Sequence, residues 1–222
     1  MKLTRKERER IARRELIIDA TENLIDRLGI DNITMDTIAT EAEVGKGTLY
    51  LHFKSKKSIY LAISERGSRL LNHAFGKALL KELPGLKLIE ELGRTYLKFV
   101  QENPVYFTVF NYYESLINDD DLAQSELAQR CEESAREAMT YIVRALQIGM
   151  QDGSINNKYD PHELGIVIWG ASRGVIHMAF HKQKKHHMKI LDDVNFSLQS
   201  LVSNFIELIG TGMANDQQSK NN

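Results

Sequence analysis

Helical periodicity without strand-like alternation is the feature that most constrains this chain. Apolar side chains recur at intervals of three, four and seven residues, which places them on one face of an α-helix. The first such set is Ile11, Ile18, Ala20, Leu24, Ile25 and Leu28. No segment alternates apolar and polar residues between turn signals, so the sequence predicts no sheet. We therefore expect an all-α protein of about nine helices.

Capping and turn residues divide the N-terminal region into one long helix and two short ones. Gly29 ends the long helix, Thr34 is placed to cap the first short helix, and Gly45 marks the turn before the second. Two short helices across a glycine-containing turn fit a helix-turn-helix. Leu49 and Phe53, four residues apart, would face inward, and the other side chains of the second short helix would face a DNA major groove.

Charge is distributed unevenly along the chain. The net charge of -1, from 29 basic and 30 acidic residues, argues by itself against a nucleic-acid binder. Charge acts where it is concentrated, however, and residues 1–14 contain seven basic residues and only two acidic ones. Alone, this stretch fits a solvated, frayed helix start. The adjacent helix-turn-helix favours a second interpretation, in which the stretch crosses DNA phosphates.

Residues 34–56 resemble the signature of the tetracycline-repressor (TetR) family. Residues 38–44 carry the pattern I-A-x-x-A-x-V, and residues 46–56 carry K-G-T-L-Y-x-H-F-K-S-K in order and without gaps. The one departure is Glu43, where such sequences more often have glycine. The resemblance covers about sixty N-terminal residues closely and the remainder only by architecture.

The resemblance implies a homodimeric transcription regulator, usually a repressor, that a small-molecule effector releases from a palindromic operator. It implies a DNA-binding head over residues 1–60, with the motif at about 34–53, and a ligand-binding and dimerisation body over residues 61–212. The polar end, residues 213–222, predicts a disordered tail. The residues expected to contact DNA are Thr34, Lys46, Gly47, Thr48, Tyr50, His52, Lys56, Arg5, Arg8 and Arg13.

Five aromatic residues lie within eight positions between Tyr106 and Tyr113. Core packing is the simpler explanation for each of them, although a helix with aromatics on several faces can also form the wall of an apolar pocket. Arg173 and His177, on a later helix, could pair with an acidic ligand. We expect a largely apolar effector. The candidate ligand-binding residues are Tyr96, Phe107, Phe110, Tyr113, Met139, Trp169, Arg173 and His177.

Two late helices combine apolar faces with small residues. In residues 164–180, Gly165, Gly170 and Gly174 would let another helix approach closely, and residues 196–209 carry an apolar face. A monomer core could absorb both faces. The resemblance favours a homodimer interface of four helices, two from each subunit. Two recognition helices must reach half-sites about 34 Å apart, so this interface would set the operator geometry.

Metal, nucleotide and membrane sites are not expected. The residues from Gly45 lack the spacing and the preceding strand of a phosphate-binding loop. The histidines between positions 177 and 187 have no HExxH pattern or cysteine partner, so we interpret them as surface residues without a metal. The longest apolar run, residues 164–171, is shorter than the roughly 20 residues of a membrane span. A single cysteine and the absence of an apolar stretch after the basic N-terminus favour a cytoplasmic protein.

Two other functional classes compete with a regulator. A sequence-tolerant architectural DNA protein would bind DNA without an effector. An enzyme that has kept a helix-turn-helix is less favoured, because no nucleophile–base pair, carboxylate dyad or complete metal set accompanies the motif. We expect no catalytic residue and no cofactor.

Overall fold

The computed structural model describes residues 4–117, 123–182 and 189–215, and within them the protein is all-α, as predicted. Two 3₁₀ turns, Ile30–Asn32 and Lys189–Leu191, and one isolated bridge between Ile155 and Ala214 accompany the helices, and these ranges contain no strand. The helices are α1 (Arg5–Leu28), α2 (Met35–Glu41), α3 (Lys46–His52), α4 (Lys56–Leu79), α5 (Gly85–Glu102), α6 (Pro104–Ile117), α7 (Glu126–Asp152), α8 (Pro161–Lys182) and α9 (Leu198–Met213).

The chain divides into two compact units. The N-terminal unit comprises Met1–Leu70 and Val100–Ala135, and the C-terminal unit comprises Leu71–Phe99 and Arg136–Asn222. Helix α4 runs unbroken through the boundary predicted at residue 60 because its apolar residues continue at helical spacing. The functional roles assigned to residues 1–60 and 61–212 stay predictions.

A small apolar core holds the first three helices of the N-terminal unit together. Ile17 of α1, Ile38 of α2 and Leu49 of α3 are each 0% exposed. The hydroxyl of Tyr60 in α4 donates a hydrogen bond of 2.7 Å to the carbonyl oxygen of Ile30. This bond satisfies a buried polar group and fixes α4 against the turn that follows α1.

A charged cluster joins α4 to α1 in the same unit. The guanidinium of Arg66, whose side chain is only 16% exposed, lies 2.5 Å from Glu15, 2.6 Å from Asp19 and 3.1 Å from Glu22. Burial raises the pKa of Glu22, and the positive charge of Arg66 opposes that shift. The Tyr106 side chain of α6 hydrogen-bonds with both Glu22 and Arg66. One arginine therefore balances three carboxylates where α1, α4 and α6 meet.

A close backbone approach joins α5 to α7 in the C-terminal unit. A β carbon at Gly85 would overlap the backbone nitrogen and α carbon of Gly149. The Gly85 N–H donates to Asp152 Oδ2 at 2.7 Å, and the Leu86 N–H donates to Ser154 Oγ at 3.1 Å. Burial would raise the pKa of Asp152, but hydrogen bonds from Ser154 and Gly85 outweigh it and hold that pKa below its usual value. These side chains cap the start of α5.

Serine caps move two helix starts from the predicted positions. Helix α9 begins at Leu198 rather than Asp193, because Ser197 Oγ accepts the Ser200 N–H at 3.0 Å. It extends to Met213, where the sequence predicts the start of a disordered tail, but Met213 is only 3% exposed. Residues 216–222 of that tail lie outside the described residues. Helix α7 begins at Glu126 rather than at the predicted residue 122, because Ser125 Oγ accepts the Ala128 N–H at 3.2 Å. Residue 122 also lies outside the described residues.

No helix in the described part of the chain is both long enough and apolar enough to cross a membrane.

Candidate DNA-binding surface and apolar cavity

The turn between α2 and α3 contains a strained residue. Thr34 caps α2 as predicted, with its Oγ1 accepting the Thr37 N–H at 3.1 Å. Glu43 has a positive φ of 51°, in the left-handed region that glycine adopts more easily. Gly45 has a φ of -65°, and a β carbon there would meet nothing within 4 Å. Gly45 marks the turn as predicted, but the residue whose backbone conformation favours glycine is Glu43.

Helix α3 has one buried face and one exposed face. Leu49 is fully buried, whereas Lys46, Gly47 and Tyr50 are exposed, and Tyr50 retains 51% of its accessible surface. Thr48 and His52 flank the buried face and are half-buried. Leu51, which was not among the predicted site residues, is 82% exposed. The exposed face of α3 is thus available to a groove of DNA.

Two of the predicted DNA-contacting lysines have partners within the protein. Lys46 Nζ lies 2.8 Å from Asp36 Oδ2, and this hydrogen bond raises the pKa of Lys46. Lys56 Nζ donates to the Ile33 carbonyl oxygen at 2.9 Å and lies 5.8 Å from the Tyr60 ring centroid. An ammonium group has three donors, so each lysine can still reach a phosphate, but DNA must share or displace these partners.

From Arg5 onward, the basic N-terminal stretch belongs to helix α1. Thr4 Oγ1 accepts the Glu7 N–H at 3.2 Å, and the Glu7 carboxylate accepts the Thr4 N–H at 2.7 Å, which forms a capping box. This capping box stabilises the start of α1, and contact of the stretch with DNA phosphates stays a prediction. Arg8 and Arg13 are exposed, whereas Arg5 forms an ion pair of 2.8 Å with Glu9.

Basic residues of α1 adjoin the end of α3. Burial lowers the pKa of His52, and the positive charges of Arg10, Arg13 and Arg14 lower it further. The guanidinium carbon of Arg14 lies 5.2 Å from the ring centroid of Phe53, the residue that ends α3. Arg10 and Arg14 were not singled out as DNA contacts. Their spacing with Arg13 along one side of α1 is the signal that could have found them.

An almost wholly apolar cavity lies inside the C-terminal unit. Its free volume is about 60 Å³, and α4, α5, α7, α8 and α9 all contribute to its wall. The polar residues in the wall are Glu90, Tyr96 and Ser172. The Ser172 hydroxyl donates to the Trp169 carbonyl oxygen at 2.9 Å, which leaves its oxygen as an acceptor. Burial raises the pKa of Tyr96 to about 12, so this phenol is a neutral donor at physiological pH.

The structure separates the eight candidate ligand residues. Phe107, Phe110 and Tyr113 belong to the N-terminal unit, where Phe107 is 2% exposed and the Tyr113 hydroxyl lies 2.9 Å from Glu132. Of the eight candidates, only Tyr96 is among the described residues that line the cavity. The other four belong to α7 and α8 of the C-terminal unit: Met139, Trp169, Arg173 and His177. Ligand contact by any of them stays a prediction.

Helix α8 carries an exposed side of mixed chemistry. Trp169 is 44% exposed, and the guanidinium carbon of Arg173 lies 5.4 Å from its ring centroid. Ile166 and Val167 are 58% and 55% exposed. Over the described residues, no group of three or more histidine, cysteine or acidic side chains could hold a metal ion. Histidines 186 and 187 lie outside those residues.

An exposed α3 within a helix-turn-helix, flanked by a basic α1, defines a DNA-binding protein. Residues 17–63 match the family described as bacterial regulatory proteins, tetR family. The chain is 30% identical over 111 residues to an uncharacterized HTH-type transcriptional regulator of Haemophilus influenzae. This match covers 50% of this chain and 59% of that protein. It is 27% identical over 145 residues to the uncharacterized HTH-type transcriptional regulator YhgD of Bacillus subtilis. This match covers 65% of this chain and 73% of YhgD. Residues 17–63 are therefore similar to the TetR family of bacterial regulatory proteins, and both of these relatives are HTH-type transcriptional regulators.

Solved structures share this fold over most of its length. FadR from Bacillus subtilis, a transcriptional regulator solved in complex with stearoyl-CoA, matches with a TM-score of 0.65 and 19% identity. That match covers 90% of this chain and 98% of FadR. At this identity, the likeness shows the all-α fold alone.

Proposed function

We propose that this regulator is a dimeric repressor that binds a palindromic operator through α3 and leaves it when a small apolar molecule binds the C-terminal unit. The observation that carries the proposal is the position of basic α1 beside the end of α3, where the guanidinium carbon of Arg14 lies 5.2 Å from the ring centroid of Phe53. Phosphate contacts from α1 would fix the orientation of α3, and side chains of α3 would read base edges. A cytoplasmic location forms part of the proposal.

Exposed apolar residues support a dimer through α8 and α9. Ile166, Val167 and Trp169 on α8 and Leu208 on α9, which is 73% exposed, are costly to leave in water. A β carbon at Gly170 or at Gly174 would meet nothing within 4 Å, so a second helix has room to approach there. Only part of the predicted apolar face of α9 is left for a dimer interface, because four of its residues line the cavity: Val202, Phe205, Ile206 and Ile209.

The cavity supports an apolar effector with few polar groups. Its wall offers the Tyr96 phenol as a donor and the Ser172 oxygen as an acceptor, against mostly aliphatic and aromatic side chains. Ligand-induced movement of the surrounding helices would favour a state with lower operator affinity. Fatty acids are a rational first panel of effectors, because the FadR structure of similar fold contains stearoyl-CoA.

The DNA-binding part is tested by selection from a random DNA pool, followed by affinity measurements at several salt concentrations. We expect a palindromic site with two half-sites about one helical turn apart. Arg13→Ala should lower the affinity about tenfold and reduce the slope of log K against log salt by about one per half-site, because each arginine releases about one counterion.

Arg144→Ala is the matched control, since Arg144 is an exposed arginine of the C-terminal unit. It should leave both the affinity and the slope unchanged. Weak binding with no sequence preference would contradict the repressor and support the architectural alternative. An unchanged slope for Arg13→Ala would remove α1 from the interface.

The dimer and the effector site are tested together by native mass spectrometry of protein purified without added ligand. We expect the mass of two chains, and added fatty acids of increasing length should bind and weaken operator binding. Val202→Phe, which fills the cavity, should abolish this binding. Val194→Phe, at a position 51% exposed, is the control and should bind like the unmodified protein. A monomer, or fatty-acid binding that Val202→Phe leaves intact, would contradict this part.

A further inference from the structure

The line of α3 that projects furthest from the protein carries no hydrogen-bonding side chain. Leu51 lies two residues after the fully buried Leu49, which at 3.6 residues per turn places it about 200° around the helix. Gly47, four residues before Leu51, lies on nearly the same line. Lys46 and Tyr50 lie to one side of this line, and Thr48 lies to the other. The outermost line therefore consists of a glycine and a leucine.

Leu51 is unusually exposed for a large apolar residue. Its 82% exposure compares with 44% for Ile11, 48% for Leu16 and 51% for Tyr50, and no other large apolar residue in the described part of the N-terminal unit exceeds it. A leucine in this position gives the free protein no packing energy. The apolar surface gains free energy only when a partner removes it from water.

The charge around Leu51 indicates which partner covers it. Lys46 is exposed at the start of the same short helix, and the guanidinium carbon of Arg14 lies 5.2 Å from the ring centroid of Phe53 at its end. An exposed leucine on a helix with basic side chains at both ends suits a polyanion that also presents an apolar group. In the major groove of DNA, the only apolar group on a base edge is the 5-methyl of thymine.

Gly47 determines how closely the backbone of α3 can approach the base edges. A β carbon at Gly47 would meet no atom of the protein within 4 Å, so packing within the chain does not require glycine there. A missing side chain on the outermost line lets the backbone of α3 lie closer to the base edges. Leu51, four residues later on that line, would then come within reach of the base edges.

We propose that Leu51 is a specificity-determining residue that reads the 5-methyl group of one thymine in each operator half-site, and that Gly47 permits the required approach. This inference rests on the proposed operator binding by α3. It predicts an operator with a thymine at a fixed position in both half-sites.

The test replaces operator thymines by deoxyuridine, which removes only the 5-methyl group. The DNA is the site recovered from the random pool, with one symmetric pair of thymines replaced at a time. For one pair, the unmodified protein should lose affinity by about fourfold per half-site, as expected for one buried methyl group. Leu51→Ala should bind the thymine operator less tightly and should not distinguish it from the deoxyuridine operator.

Leu70→Ala is the control, because Leu70 is an exposed leucine of the same unit at 48% exposure. It should keep both the affinity and the preference for thymine. Gly47→Ala should weaken operator binding at least tenfold, whereas Gly45→Ala, which also meets nothing within 4 Å, should change it less than threefold. Circular dichroism should show each variant folded, since none of these side chains is buried.

The outcomes separate the two levels of the proposal. Failure to recover any specific site would overturn operator binding itself. If Leu51→Ala weakens binding to thymine and deoxyuridine operators equally, Leu51 packs on the sugar–phosphate backbone and the inference is wrong, while operator binding stands. No effect of Leu51→Ala would overturn the inference in the same way.

Discussion

Gly85→Ala should destabilise the C-terminal unit by about 3 kcal/mol or more, which corresponds to a fall in melting temperature of roughly 6–12 °C for a chain of this size. The added β carbon would overlap the backbone of Gly149, and backbone atoms cannot rotate away as a flexible side chain can. Helix α5 must therefore move from α7, which also weakens the hydrogen bonds of Gly85 and Leu86 to Asp152 and Ser154. Thermal unfolding followed by circular dichroism measures the effect.

Gly212→Ala is the matched control for this substitution. Gly212 lies in the last turn of α9, and a β carbon there would meet nothing within 4 Å. Alanine has the higher helix propensity, so this variant should be neutral or slightly stabilised. A melting temperature for Gly85→Ala within about 2 °C of the unmodified protein would show that α5 and α7 do not pack as closely as described.

Arg66→Met should destabilise the N-terminal unit by about 2–3 kcal/mol near neutral pH. The substitution removes the one cation that Glu15, Asp19 and Glu22 share. Glu22, only 20% exposed, would then keep a poorly solvated negative charge beside two others. We place the effect below that of a fully buried pair because Glu15 and Asp19 are 43% and 60% exposed.

The loss caused by Arg66→Met should depend on pH. Burial raises the pKa of Glu22, so the folded chain binds its proton at a pH where the unfolded chain has released it. Stability therefore rises as the pH falls through the raised pKa, and removing the opposing charge of Arg66 widens this interval. Denaturant unfolding should show a smaller deficit near pH 5 than near pH 8.

Two further variants make the Arg66 prediction specific. Adding Glu22→Gln to Arg66→Met should restore part of the stability and flatten its pH dependence. Arg130→Met, in the same unit, breaks an i,i+4 pair with Glu126 in which the arginine is 50% and the glutamate 84% exposed, and it should cost less than about 0.5 kcal/mol. Equal losses for Arg66→Met and Arg130→Met would contradict a structural role for the cluster.

Periodicity and capping residues were sufficient to predict the helices but not all of their ends. Thr34 was correctly identified as a cap because a helical pattern starts directly after it. Ser197 was missed, because the polar residues before it carry no signal that separates a loop from a first helical turn. The left-handed conformation of Glu43 was also missed, although the resemblance marks this position as one where such sequences more often have glycine.

The candidate site shows where sequence reasoning stops for a different reason. Residues on one short helix, such as Lys46 and Tyr50, could be placed on an exposed face because their spacing alone decides it. The aromatic residues Phe107 and Phe110 could not be assigned to a core or a cavity, because both environments favour the same side chains. The cavity draws residues from five helices, and which faces meet there depends on packing between distant segments.

The capping box at Thr4 and Glu7 has a consequence for how DNA of different shapes is recognised. A flexible basic arm can follow a groove of any width, and ordering it on DNA costs about 1–2 kcal/mol per residue in backbone entropy. The capped α1 avoids most of that cost, because its arginines are already held at 1.5 Å rise per residue. A rigid arm cannot adapt, so sequences that narrow or bend the duplex beside the half-site should alter affinity through base pairs that the protein never touches.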